Sequence, residues 1–499
     1  MSLTDLTMAA LAFSWPALVF CLSTLAVLAL RSYQKYVVLE KSRLTGCAGR
    51  PTTPALEKQL LPKPLASSVS DLATFFPPRR RDQLESLLSA LSPARRGMLS
   101  HISFTQEVFE RSLLRLEEDY KQADTSKYVY SGVSIREIRA LGSFPDYSTL
   151  SGVPMPTPYL SFDIARAKPR PYRPFRRPYH QTMSLTKLEP DWWIELHSNY
   201  KECVAQRQEL HAKHGPAILQ WLPGSELACK ELMEMVIQFI CARYPQYFVL
   251  SEDQLWLENK ILGIQANLRE KHPLLILLDH VPEDFAVMLR DPGTGHYIFR
   301  AGIICSAVGW NLAEKIGLKL GEIHQPVPDY EEKMKFSMDR FFSKMPSDRP
   351  IQRGSWDLVV DQPLYTSQGE QHSSYENFQS ESVTSSRVNL RVDWQTLRRM
   401  PLSGGIVFNF KALFTPIEEF RSEPHVPSLL LAVSKHGEEN MMKYKNMWRI
   451  EHVVVPTLER YEMEQVESAL IEKTWTAQTL DESPWFPGWE EKWHMQQGF

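Results

Sequence analysis

The stretch "VNLRVDWQTLRRMPLSGGIVF", residues 388–408, limits the fold more than any other part of the chain. Val388, Leu390, Val392 and Trp394 alternate with Asn389, Arg391, Asp393 and Gln395, the period-two pattern of a strand with one apolar face. A loop and the start of a second strand follow, so the segment predicts an antiparallel hairpin. Trp394 falls on the aliphatic face beside an acid and an amide. It is either a core residue or part of a face that lines a site.

A second hairpin is expected at 283–310, where two apolar strands flank Asp291-Pro292-Gly293-Thr294-Gly295. "VPSLLLAVSK" at 426–435 reads as a third strand. "EHVVVPTLERYEMEQVESAL" reads as either a strand or a helix. Between them, "DWWIELHSNYKECVAQRQELHAKHG" and "SELACKELMEMVIQFICARYP" carry helical spacing. Strand pairs separated by helices indicate an α+β domain on an antiparallel sheet.

The N-terminus is of another kind. From Leu6 to Leu30 no residue is charged, a run long enough to cross a bilayer. Asp5 precedes it, and Arg31, Lys35, Lys41 and Arg43 follow it, which predicts an outside N-terminus and a cytosolic main domain. The expected organisation is a single-pass membrane anchor at 1–35, a Pro/Ser-rich linker at 36–80 and a helical extension at 81–150. The main domain then covers 151–480 and a C-terminal tail 481–499. Net charge is −3 over 499 residues, which argues against nucleic acid as a partner. The six cysteines show no C-x-x-C or paired spacing, so a zinc site or disulfide framework is not expected.

In 309–330, Asn311 and Glu314 form a capping-box-like pair, and Ile316, Leu320, Ile323 and His324 fall on one helix face. His324 is then a last-turn residue on the buried stripe, able as a neutral imidazole to bind iron. The alternative is a histidine that caps its own helix. The basic, proline-punctuated 166–183 is either a solvated wrapping strand or a strip of guanidinium groups (Arg170, Arg173, Arg176, Arg177) facing an anion. His280, alone after an apolar run, reads as structural. No hydrolase, P-loop, zincin or dinucleotide-binding motif is present.

The ordered blocks "RPYRPF", "YHQTM", "EDFAVML", "KIGLKLGEIHQPVPDY", "SMDRFF", "RGSW" and "QTLRRMPLSGGIVF" resemble the α-subunit-like family of haem-dependent oxidative N-demethylase over about 160–460. The resemblance implies a PAS-like haem-binding core, an antiparallel sheet flanked by helices, with haem b as cofactor. It implies His324 as axial iron ligand, His180 as second candidate, and Arg173, Arg176, Arg398 and Arg399 as contacts for the haem propionates. In such proteins O₂ is activated on haem iron and an N-methyl group is oxidised. A reductase partner supplies the electrons, and this chain has no flavin or nicotinamide signature of its own. Trp394 stands where the family usually keeps a basic residue. This makes Asp393, Trp394 and Gln395 the candidate catalytic residues, with Trp394 as an apolar wall of the haem pocket and Asp393 as partner of a substrate amine. The expected function is a membrane-anchored haem monooxygenase or demethylase-like oxidoreductase acting on a small amine or specialised metabolite. The alternatives are a non-catalytic haem- or ligand-binding module and a degenerate scaffold.

Overall fold

The computed structural model describes residues 141–179, 182–291, 294–366 and 379–498, together with Ser131 and Ile138. Contacts divide the chain into 1–64 and 65–499, and every described residue lies in the second unit. The expected anchor and linker lie outside the described residues. Among the described residues, no helix is long and apolar enough to cross a membrane. Of the expected helical extension, the helical turn Tyr147–Ser151 is described.

The strands are β1 (Thr186–Lys187), β2 (Leu219–Trp221), β3 (Phe248–Leu250), β4 (Trp256–Asn259), β5 (Ile264–Asn267), β6 (Asp284–Arg290), β7 (Tyr297–Ile303), β8 (Ile351–Val360), β9 (Val388–Arg399) and β10 (Ile406–Pro416). Seven of them form one antiparallel sheet in the order β1-β8-β9-β10-β6-β7-β2, and β3, β4 and β5 form a small second sheet. The helices are α1 (Tyr200–His214), α2 (Glu226–Arg243), α3 (Pro273–His280), α4 (Leu312–Lys315), α5 (Leu320–Ile323), α6 (Lys335–Lys344), α7 (Val426–His436), α8 (Glu439–Tyr444), α9 (Glu451–Glu467) and α10 (Trp489–Gln497). The α+β class expected from the paired strands is therefore what the chain forms.

Both expected hairpins are present. β9 and β10 pair from Asn389↔Pro416 to Arg399↔Ile406 without a register shift. Their loop is pinned from α2, whose Glu231 carboxylate accepts from the Leu402 and Ser403 amides at 2.6 and 2.7 Å. β8, not among the expected strands, is a full partner of β9, with Gly354 opposite Trp394. A Cβ at Gly354 would lie 2.5 Å from the Tyr172 ring, so only glycine lets that ring pack against the strand.

Three segments differ from expectation. The 426–435 segment is helix α7, not a strand. Pro427 is accommodated in its first turn, and Leu429, Leu430 and Val433 are buried at helical spacing. A short apolar run alone does not distinguish the two. The helix expected from Asn311 breaks into α4 and α5, although Asn311 does cap α4 by accepting from Glu314 N. Between them the backbone pairs with β7 instead: Gly317 N donates to Phe299 O at 2.8 Å, and Phe299 N to Leu318 O at 3.0 Å. Residues 481–498 do not trail away. Trp493 of α10 is buried, and Lys492 donates to Glu423 at 2.7 Å.

Candidate functional site

The face of the sheet made by β8, β9, β10, β6 and β7 floors a cavity of about 870 Å³. That is within the usual range for a cofactor or drug-sized ligand, roughly 300–1,000 Å³. The cover comes from 174–179 with Thr182 and Ser184, from α4 through α6, and from 441–449. The floor is divided. Phe408 and Phe410 of β10, Ala286 and Met288 of β6 and Phe299 of β7 make an apolar half. Arg353, Ser355 and Asp357 of β8 with Arg391, Asp393 and Gln395 of β9 make a polar half.

His324 stands in the cover, at the end of α5. Its Nδ1 lies 2.8 Å from Leu320 O, and a carbonyl oxygen can only accept, so Nδ1 carries the proton and the lone pair is on Nε2. Burial pushes the imidazole down to about 4, opposed by the Leu320 hydrogen bond, so it is neutral at physiological pH. The Tyr330 ring stacks on it at 5.1 Å with an 11° tilt. The bond to Leu320 is the helix cap that the alternative reading requires. It is equally the arrangement by which a ligating histidine is usually oriented, with its second nitrogen bound to a backbone carbonyl.

The strip of arginines separates into committed and uncommitted groups. Arg173 is buried in a bidentate pair with Glu423, both contacts at 2.7 Å, and does not reach the cavity. Arg170 is held by Glu195 and lies 4.3 Å from the Trp192 ring. Arg177 donates to Ala432 O at 3.0 Å from the cavity wall. Arg176 lines the cavity and has no carboxylate partner among the described residues. Arg398 and Arg399 are not cavity residues. Arg398 lies over the Trp193 ring at 4.0 Å, and Arg399 is saturated by the Met345, Gly404 and Phe342 carbonyls and the Tyr297 hydroxyl. Their expected place beside propionates is thereby corrected. One points away from the cavity, and the other clamps the hairpin loop. His180 lies outside the described residues.

The three candidates on β9 are separated by strand alternation. Asp393 and Gln395 line the cavity; Trp394 does not. Trp394 is 2 % exposed on the opposite face, where its Nε1 donates to Gln352 Oε1 at 3.1 Å. It is a core residue, and its expected role as a pocket wall is withdrawn, because no bulge intervenes to turn it round. Asp393 accepts from Arg391 Nε at 3.0 Å, and Nη1 and Nη2 of the same guanidinium reach Pro363 O and Ser306 O.

Several cavity residues were not foreseen. Arg353, on the overlooked strand β8, has no carboxylate partner among the described residues, and its Nε is buried without a hydrogen bond. Burial holds its guanidinium below the usual range. Alternation along 351–360 would have placed it with Ser355 and Asp357 on one face. Lys445 and Arg449 come from the end of α8 and the turn beyond, where nothing in the sequence pattern marks them. Seven cations line the cavity (Arg176, Arg177, Lys315, Arg353, Arg391, Lys445, Arg449) against three carboxylates (Asp357, Asp361, Asp393), a wall suited to an anionic ligand.

These features fit haem. A neutral, orientation-locked imidazole stands in the cover, apolar side chains supply a surface for a macrocycle, and Arg176 and Arg353 are uncommitted cations for propionates. Among the described residues, no cluster of three His, Cys, Asp or Glu side chains could hold a metal ion by itself. The sequence of the family described as "haem-dependent oxidative N-demethylase, alpha subunit-like" matches residues 184–455, which contain the whole sheet and most of the cavity wall. Over more than half its length, then, this chain is a member of the haem-dependent oxidative N-demethylase α-subunit-like family.

Proposed function

We propose that the chain is a haem b oxidoreductase of the oxidative demethylase type, working on a small specialised metabolite and held to a membrane by residues 6–30. A PAS-like reading of the core is supported by five consecutive strands, β6 to β10, in which the first hairpin closes on the last strand. The observation that carries the proposal is the convergence of His324, Arg176 and Arg353 on one cavity. Haem, when bound, supplies O₂ activation and one-electron chemistry, by which an N-methyl group is oxidised and lost as aldehyde.

The chain's own residues do the rest. His324 would hold the haem iron through Nε2, its tautomer set by Leu320 O and its ring orientation by Tyr330. Arg176 and Arg353 would receive the propionates. Phe408, Phe410, Met288 and Phe299 keep water from the reacting end, which strengthens every charge interaction there. Gln395 supplies a neutral amide to a bound substrate. Asp393, already neutralised by Arg391, orients that guanidinium in the wall. Electrons come from a separate reductase.

Absorption spectroscopy of the purified chain with haemin tests this. A Soret band is expected that is lost in His324→Ala and kept in His280→Ala, since His280 is buried away from the cavity against Asn259. A colourless protein that takes up no haemin would sink the reading. Oxygen consumption with NAD(P)H and a reductase then separates an enzyme from a non-catalytic haem module.

A further inference from the structure

Trp356 and Tyr179 meet in the cavity wall with ring centroids 5.5 Å apart and planes tilted by 53°. The Lys445 ammonium sits in the corner between them, 4.2 Å from the Trp356 centroid and 5.8 Å from that of Tyr179. Its Nζ also donates to Trp356 O, and the residue is 6 % exposed. Two aromatic faces beside an acid are the usual recognition site for an ammonium group, methylated ones above all. The acid here is Asp357, the neighbour of Trp356 in the chain. It accepts a hydrogen bond from Leu358 N at 2.8 Å, and Lys445 is the charge that most opposes the upward push of burial on its carboxyl.

The other two wall carboxylates are paired within the protein. Asp393 is paired with Arg391 at 2.9 Å and Asp361 with Arg387 at 2.8 Å. An incoming alkylammonium ion would find the aromatic corner filled by Lys445 and two of the three wall carboxylates paired, and it would meet a wall that remains positive even after two propionates are bound.

We infer that Lys445 is the chain's own occupant of the cavity's ammonium site. The cavity therefore selects a ligand whose nitrogen is uncharged and which carries an acid group, such as an N-methylated aryl amine bearing a carboxylate. The inference rests on the cavity being the substrate chamber proposed above. Lys445 is a specificity-determining residue, acting by repulsion of the wrong charge as much as by attraction of the right one.

Calorimetric titration of the full chain, with and without haemin, tests this with three probes: dimethylammonium, N-methylaniline and N-methylanthranilate. The wild type is expected to bind N-methylanthranilate at least about tenfold more tightly than dimethylammonium. Lys445→Met should gain about tenfold in dimethylammonium binding by removing the resident charge, and Lys445→Arg should keep the wild-type ranking. Three results would overturn the inference: equal wild-type affinities for the two charged probes, an unchanged affinity ratio of the two in Lys445→Met, or no binding of any probe. The wild-type ranking requires no variant to fold. A chain that keeps the ranking but takes up no haemin defeats the haem reading alone.

Discussion

The two faces of β9 hold residues of similar chemistry and put them to opposite uses. On one face Val392, Trp394, Thr396 and Arg398 are buried, and each polar atom that reaches a partner finds one inside the protein: Gln352 for Trp394, Asn409 for Thr396. On the other, Arg391, Asp393 and Gln395 look into a cavity, and across the ladder from Gln395 stands Arg353, whose charge no carboxylate among the described residues answers. A strand distributes its residues strictly by parity, so neighbours in sequence differ completely in role. What distinguishes a site from a core here is access and not pairing: Arg398 on the core face also keeps a buried Nε without a hydrogen bond, whereas Arg353 and Gln395 open onto a cavity.

The comparison breaks most visibly if Trp394 is removed. Trp394→Ala should destabilise the fold by about 3–5 kcal/mol, the cost of truncating a large buried aromatic. Chemical denaturation measures it, and haemin affinity of the molecules that remain folded should be unchanged. A normal stability with lost haemin binding would show that the indole lines the pocket after all. Arg353→Met and Arg176→Met should behave in the reverse manner. Each removes one charge-assisted contact worth about 1.5–3 kcal/mol, so haemin affinity should fall roughly ten- to a hundredfold. Stability should hold or rise in Arg353→Met, because a buried cation without a partner costs desolvation energy that methionine does not. Gln395→Leu should be smaller still, within about 1 kcal/mol in stability, since its side chain makes no hydrogen bond to the protein among the described residues.

How far the sequence could be read follows from the same parity. Alternation at 388–395 and the turn at 291–295 are local signals, and both hairpins are where those signals place them. The face each residue occupies was legible too; which face met the cavity was not, because that depends on what covers the sheet. The cover is built from α4, α5 and the 441–449 stretch, whose positions are set by long-range pairing such as Gly317 with Phe299. The arginine-rich 166–183 is a sharper case. Its residue types called for an anion, yet Arg173 meets Glu423, 250 positions along the chain, and Arg176 meets a cavity. No local pattern separates the two. β8 was missed because Gly354 interrupts a strand pattern, and the reason for that glycine, the Tyr172 ring, comes from a distant part of the chain.

The pH response of His324 tests the cover of the cavity, and its sign is fixed by the geometry. An imidazole free in an unfolded chain titrates near 6.5, whereas in the folded protein burial lowers it to about 4. The unfolded state therefore binds more protons between pH 6.5 and 4. The contribution of His324 to stability is fully present above pH 6.5 and is lost as pH falls toward 4. Within the folded protein the proton competes for Nε2 only near pH 4, since Nδ1 is already protonated and held by Leu320 O. If His324 is the axial ligand, the Soret spectrum should stay constant from pH 8 to about 5 and change with a midpoint near or below 4. A midpoint near 6.5 would mean that the ligating imidazole is solvated. The cavity face of β9 would then have to be reconsidered as an open cleft instead of a closed chamber.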